Sequence, residues 1–146
     1  MPKSKTYLLD VNVWLALASQ KHVHSPIALA WFEELGAGQA VFCRVTQMSL
    51  LRLITNPHVM QGEEVSQAKA WEVYDELRRD FRSRYLAEPA GLEPAWRKRA
   101  QPGEPSRYGW TDAYLLAFAE AQSLELVTFD RALIASKSPQ VVALGQ

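Results

Sequence analysis

Tyr7-Leu8-Leu9-Asp10, which runs on into Val11-Asn12, and Leu124-Glu125-Leu126-Val127-Thr128-Phe129, which runs on into Asp130-Arg131, share one arrangement: a short apolar run ends on a lone aspartate. Runs of this length with β-branched or aromatic members read as strands buried on both faces. A third aspartate lies in Trp110-Thr111-Asp112-Ala113-Tyr114-Leu115-Leu116, at the start of a strongly apolar helix-like segment. In an open α/β sheet, ligands collect at the carboxyl ends of parallel strands. The three aspartates therefore predict an acidic cluster at one edge of such a sheet.

The rest of the chain supports that architecture. Short apolar runs alternate with helical patterns, which predicts a three-layer α/β sandwich around a mainly parallel central sheet of four or five strands. Tyr7 to Asp10 is the first strand, and a short helix follows from Asn12 or Val13 to Ala18. Ser25-Pro26 reads as an N-cap with proline at the first helical position, ahead of Ala28, Leu29, Phe32 and Leu35 at helical spacing and a stop at Gly36. Val41 to Val45 reads as the second strand, with Thr46 capping a helix that carries Met48, Leu51 and Ile54 and ends before Asn56-Pro57. Ser66 opens the longest helix, with Ala70, Trp71, Tyr74 and Leu77 on one face, and a short strand follows around Tyr85-Leu86. Glu88 to Pro105 reads as a surface insertion with a helix near Leu92 to Arg99. Asp112 to Gln122 is a helix, Leu124 to Phe129 a strand, and Val141 to Leu144 an edge strand.

At 146 residues, with 48% hydrophobic and 22% charged side chains, residues 1–146 are expected to form one domain with its own core. Sixteen basic residues balance sixteen acidic ones, so net charge gives no pull toward nucleic acid. The distribution is uneven. Between Arg78 and Arg107 stand Arg78, Arg79, Arg82, Arg84, Arg97, Lys98, Arg99 and Arg107 against Asp80, Glu88, Glu93 and Glu104. That excess reads either as a solvated helix face with a charged loop or as a phosphate-contacting patch. The lone Cys43 excludes an internal disulfide, sits in the apolar run Ala40-Val41-Phe42-Cys43 and reads as a small buried hydrophobe. Absence of a bilayer-length apolar stretch, and of a leader pattern at Met1 to Lys5, makes the cytoplasm the expected location, with no membrane partner.

Each aspartate alone has a structural explanation. Asp10 and Asp130 can cap the turns that follow them, and Asp112 complements a helix dipole. Together they predict convergence, because parallel strands bring their ends close. Unpaired, such a cluster repels itself and raises its pKa values. Hard oxygen ligands of this kind suit Mg²⁺ or Mn²⁺, which can acidify a water and stabilise charge on a phosphoryl oxygen. His22 and His24 are one residue apart with no third ligand near in sequence, so they read as part of a polar turn; His58 follows Pro57 in another turn.

Leu8-Leu9-Asp10-Val11-Asn12-Val13, Trp110 to Leu115 and Leu126-Val127-Thr128-Phe129-Asp130-Arg131 resemble the signature blocks of PIN-domain ribonucleases, in particular the VapC toxins of type II toxin–antitoxin pairs. Arg44 to Pro57 is similar to a further block of one VapC subgroup. The resemblance implies a Mg²⁺- or Mn²⁺-dependent endoribonuclease that arrests translation, acts on RNA, and is neutralised by a cognate VapB-like antitoxin. It implies Asp10, Asp112 and Asp130 as metal-binding, catalytic acids, with Asn12 and Thr128 as supporting polar residues. The family usually carries one more acid on the helix after the second strand. Gln47 is the nearest polar stand-in here, which leaves open whether one ion binds or two. Arg52, Arg97, Lys98, Arg99 and Arg107 are expected to grip RNA backbone, with Trp96, Tyr108 or Trp110 available to stack a base. Homodimerisation is also implied by the resemblance, with Ile27/Trp31 or Leu50/Leu53 as contact faces.

Two other functions fit part of the pattern. A haloacid-dehalogenase-like phosphatase also places a nucleophilic aspartate after its first strand, but wants an acid where Asn12 stands. A catalytically impaired PIN-like module that binds RNA or protein would account for the missing helix acid.

Overall fold

The computed structural model describes residues 5–101 and 108–145. Its centre is a five-stranded sheet, every pairing parallel. The strands are β1 (Tyr7–Leu9), β2 (Ala40–Phe42), β3 (Ser83–Tyr85), β4 (Glu125–Thr128) and β5 (Val141–Ala143), in spatial order β3-β2-β1-β4-β5. The chain therefore builds outward from β1 to one edge, then crosses back to lay β4 on the other side of β1. Leu9 pairs with Val127 across that junction. A reversal of strand order opens a crevice at the strands' carboxyl ends. Asp10 follows β1 and Asp130 lies two residues past β4, so the switch point receives two of the three aspartates.

Alternation along the strands explains the layers. Leu8, Val41 and Leu126 point to one face, beneath α7 (Trp110–Ala121) and the smaller α6 (Leu92–Ala100). Leu9, Ala40, Phe42 and Val127 point to the other, packed by α1 (Val11–Ala18), α2 (Ser25–Glu33), α3 (Arg44–Ile54) and α5 (Gln67–Arg79). Short α4 (Pro57–Met60) and α8 (Arg131–Ala135) complete the molecule. The α/β sandwich is thus the one expected, with the higher strand number. Among the described residues no helix is long and apolar enough to cross a membrane.

Several local expectations shift. β2 ends at Phe42 rather than Val45, because Cys43 is already the cap of α3. Thr46 acts from inside the helix: its hydroxyl accepts the Cys43 N–H at 3.0 Å and lies 3.1 Å from the Cys43 carbonyl, to which it donates. Ser25 is the first residue of α2 and buried, with His24 at the cap position. The carbonyl of His24 then accepts the Ala28 N–H. Asn56 starts a further turn of helix that takes in His58, its side chain accepting from His58 N and Val59 N. β3 lies two residues earlier than expected. α7 opens at Trp110, which puts Asp112 in its first turn rather than at its start.

Met48 and Trp71, expected on buried faces, are 50% and 51% exposed. The buried stripe of α3 is instead Thr46, Gln47, Leu50 and Ile54. Leu50 is fully buried and so belongs to the core rather than to a contact face, while Leu53 is half-buried against the same core. α6 is also more than a surface insertion. Leu92 is buried in the α7 layer, and Trp96 meets Tyr114 edge-on while donating its Nε1–H to the Trp110 carbonyl at 2.9 Å. Cys43 is buried, as expected, and burial pushes its thiol pKa up.

The α1 side of the core turns on Trp14, which is fully buried and stacks on Phe42 with ring centroids 3.7 Å apart and planes 7° apart. Phe32 meets it edge-on. Trp14→Ala is expected to cost about 3–5 kcal/mol of folding free energy, read from urea unfolding; a change under about 1 kcal/mol would show the cavity closing over.

Candidate active site

The site is assembled from four backbone positions. Asp10 caps α1: its Oδ1 accepts the Val11 N–H at 2.7 Å. Its Oδ2 accepts the Thr128 hydroxyl at 2.7 Å. Thr128, fully buried at the end of β4, in turn accepts from Asn12 Nδ2 at 3.3 Å and from the Asp130 N–H at 2.9 Å. Asn12 Oδ1 closes the ring by accepting the Phe129 N–H at 3.2 Å. Asp130 caps α8, its Oδ1 accepting from Ala132 N and Leu133 N at 2.8 and 3.2 Å. Both amides share one carboxylate oxygen, so capping does not use the second. Asp10, Asn12, Thr128 and Asp130 thus form one continuous hydrogen-bonded unit across the switch point.

Asp112 joins them electrostatically. Its carboxyl is pushed up to about 6, first by desolvation, then by the negative charges of Asp10 and Asp130. Burial also lifts the Asp10 carboxyl above its ordinary value; the bonds from Thr128 and Val11 oppose that rise, and the Asp130 charge adds to it. Like charges held together in partial burial disfavour full ionisation. Each of the three sequence-predicted acids therefore lies within electrostatic reach of the others.

Donor chemistry suits a hard dication: three carboxylates supply only oxygen, and their repulsion is a charge deficit that a divalent ion would offset. Among the described residues no three Asp, Glu, His or Cys side chains stand close enough together to hold a metal ion between them. The carboxylates would then supply part of a shell, as is usual for Mg²⁺, which keeps several waters.

The remaining predicted residues divide. Gln47 is buried and its Oε1 accepts from Arg44 Nη1 at 2.5 Å, so its amide is spoken for by a cation. Arg44 stacks over the Tyr85 ring, 5.2 Å from its centroid. Arg44 was not singled out as a site residue, although its i,i+3 spacing from Gln47 on a helix could have flagged the pair. Arg52 is exposed in the last turn of α3. On α6, Arg97 pairs with Glu93 at 2.9 Å and Arg99 pairs with Glu120, while Lys98 is exposed. These ion pairs make the α6 group less of a bare cationic patch than its composition promised. Arg107 lies outside the described residues, as does Pro105. His22 and His24 lie in the expected turn, the His24 N–H bonded to His22 Nδ1, with the His24 ring stacked on Phe129 at 4.3 Å.

A family model described as PIN domain matches residues 7–137. Ribonuclease VapC41 of Mycobacterium tuberculosis is 44% identical over 130 residues, covering 86% of this chain and 89% of that protein. This chain belongs to the PIN-domain family, on its VapC branch. Solved structures agree on the fold. The sarcin-ricin-loop-cleaving toxin VapC20 of M. tuberculosis superposes with a TM-score of 0.68 at 16% identity, covering 93% of this chain and 98% of that one. A toxin–antitoxin complex from Klebsiella pneumoniae gives 0.62 at 17% identity, covering 94% and 97%. Membership of the PIN family disfavours the aspartate-phosphatase alternative, whose second acid is replaced here by Asn12.

Two measurements follow from the geometry. Thr128→Val keeps the shape but leaves the buried Asp10 Oδ2 without its donor, and is expected to cost about 1–3 kcal/mol in urea unfolding; an unchanged midpoint would mean that water replaces the hydroxyl. Asp112 has a folded pKa raised above its ordinary value, so the stability it contributes is full near pH 4 and is lost as pH rises through about 6. In chelator, wild type should therefore lose stability relative to Asp112→Asn between pH 4 and 7, by about 1 kcal/mol after solvent screening. Parallel melting curves across that range would contradict the coupling.

Proposed function

We propose that residues 1–146 form a single domain that is a cytoplasmic endoribonuclease toxin, hydrolysing RNA phosphodiester bonds to arrest translation and neutralised by a cognate VapB-like antitoxin. What supports this reading is that Asp10 and Asp130 follow β1 and β4 at the switch point of a PIN-domain sheet, with Asp112 within their electrostatic reach. Relatives named ribonucleases, matched over most of their length, support the same reaction. The impaired-module alternative is disfavoured by the intact trio, in spite of Gln47.

On this reading Asp10, Asp112 and Asp130 are the catalytic, metal-binding residues, and the working cofactor is Mg²⁺ or Mn²⁺. A bound dication would acidify a water and offset negative charge on the phosphoryl group. The chain's own part is positional. Thr128 fixes Asp10 in one rotamer, Asn12 ties the end of β1 to Phe129, and the α8 amides orient Asp130. Phosphate approaching three carboxylates needs compensating cations farther out, and the exposed Arg52 and Lys98 are read as backbone contacts, with Arg97, Arg99 and Arg107 as weaker ones. Homodimerisation accompanies the reading, through the α2 face that carries the exposed Ile27 and the half-buried Trp31.

The test is sequencing of new RNA 5′ ends after antitoxin-free protein meets total cellular RNA. Wild type with Mg²⁺ is expected to give discrete ends; EDTA, Asp10→Asn and Asp130→Asn are each expected to reduce them by at least about 100-fold. Ends that persist in those folded variants would place the chemistry elsewhere.

A further inference from the structure

Beside Asp112 the molecule holds a second concavity whose chemistry the acid cluster does not use. Arg44, Tyr85, Glu88, Trp96, Trp110 and Tyr114 line a cleft of about 490 Å³, within the range of small-ligand sites. Thr111 also lines it, which puts the cleft one residue from the acid. Its walls are aromatic and braced. Trp96 meets Tyr114 edge-on at 5.5 Å and bonds the Trp110 carbonyl, while Trp110 itself is 73% exposed, an indole held out at the rim.

Two charged groups of opposite sign face this space. The Arg44 guanidinium lies over Tyr85 and is tethered by a single bond to Gln47, which leaves most of its five N–H donors for a ligand. The exposed Glu88 carboxylate takes one bond, from the Tyr114 hydroxyl at 2.7 Å on Oε1, which fixes its orientation. A carboxylate and a guanidinium in one aromatic cleft ask for a flat ligand with paired donors on one edge and paired acceptors on another. Guanine has that pattern, N1–H with N2–H on one edge and O6 with N7 on the other, and Arg to O6/N7 is a favoured contact. Adenine and cytosine each offer a carboxylate one amine, and uracil offers one imide N–H.

We propose that the Arg44–Glu88 cleft is a guanine subsite for single-stranded RNA, with Glu88 reading the N1/N2 edge, Arg44 the O6/N7 edge, and Trp110 stacking on the base. The subsite deepens the ribonuclease reading and rests on it, since it lies where a nucleotide next to the scissile phosphate would unstack. Glu88 and Arg44 are specificity residues: they contact the base and not the bond that breaks. The buried Gln47 then has its own part, holding Arg44 at the cleft.

The test is binding without cleavage. Wild-type protein in EDTA is titrated with labelled UUGUU, UUAUU, UUCUU and UUUUU ribonucleotides, followed by anisotropy. The guanine pentamer is expected to bind about 10-fold more tightly than the others. Glu88→Gln should erase that preference and leave the adenine pentamer unchanged. Tyr114→Phe, which releases Glu88, should weaken the preference in the same direction. Trp110→Ala should weaken all four by a similar factor, about 10-fold. Equal affinities for the four pentamers, no binding of any, or a guanine preference untouched by Glu88→Gln would each overturn the subsite, even if RNA is still cut. Base discrimination in a protein that cuts no RNA would instead overturn the ribonuclease reading.

Discussion

The Thr128 hydroxyl is the join on which the rest of the site depends. It donates to Asp10, accepts from Asn12 and accepts from the backbone of Asp130, so one oxygen binds the ends of β1 and β4 into a single unit. A buried carboxylate is stable only when such donors surround it. Removing that hydroxyl would release all three partners at once, because they share the same atom. The parallel pairing of β1 with β4 sets the approach of the backbones, and the threonine converts that approach into a fixed direction for two acids.

Repulsion is the counterpart of that rigidity. Burial first, and then the field of Asp10 and Asp130, push the Asp112 carboxyl up to about 6. Fixed charges of one sign around a crevice amount to a stored preference for a cation. On the opposite side of Asp112 the polarity changes. Arg44 and Glu88 sit among aromatic rings, and the buried Gln47 bonds Arg44. Gln47 thus orients a cation and brings no charge of its own.

Much of this was readable in the chain. The two apolar runs ending on Asp10 and Asp130 placed two strands and both acids, since burial on two faces demands continuous hydrophobicity and leaves polarity only at the ends; the strand order that makes a switch point came from the fold. Ser66 and Asn56 were readable caps or boundaries for the same local reason. What was not readable depends on contacts between distant residues. Glu88 and Tyr114 are 26 apart and Trp96 and Trp110 are 14 apart, so no periodicity announces the cleft they form. The burial of Leu50 and the exposure of Met48 and Trp71 depend on which stripe of a helix meets the sheet, and a single helix pattern offers more than one. The ion pairs that occupy Arg97 and Arg99 likewise depend on neighbours that composition does not reveal.

Strand order also sets a timetable. Asp10 leaves the ribosome early, but its partners Thr128 and Asp130 come 118 and 120 positions later; the 118-residue separation is the longest reach among the site's hydrogen bonds. A nascent chain cannot close the β1–β4 junction until Thr128 has emerged, since pairings between distant segments form only once both are present. The acid cluster is thereby incomplete for as long as β4 has not been made.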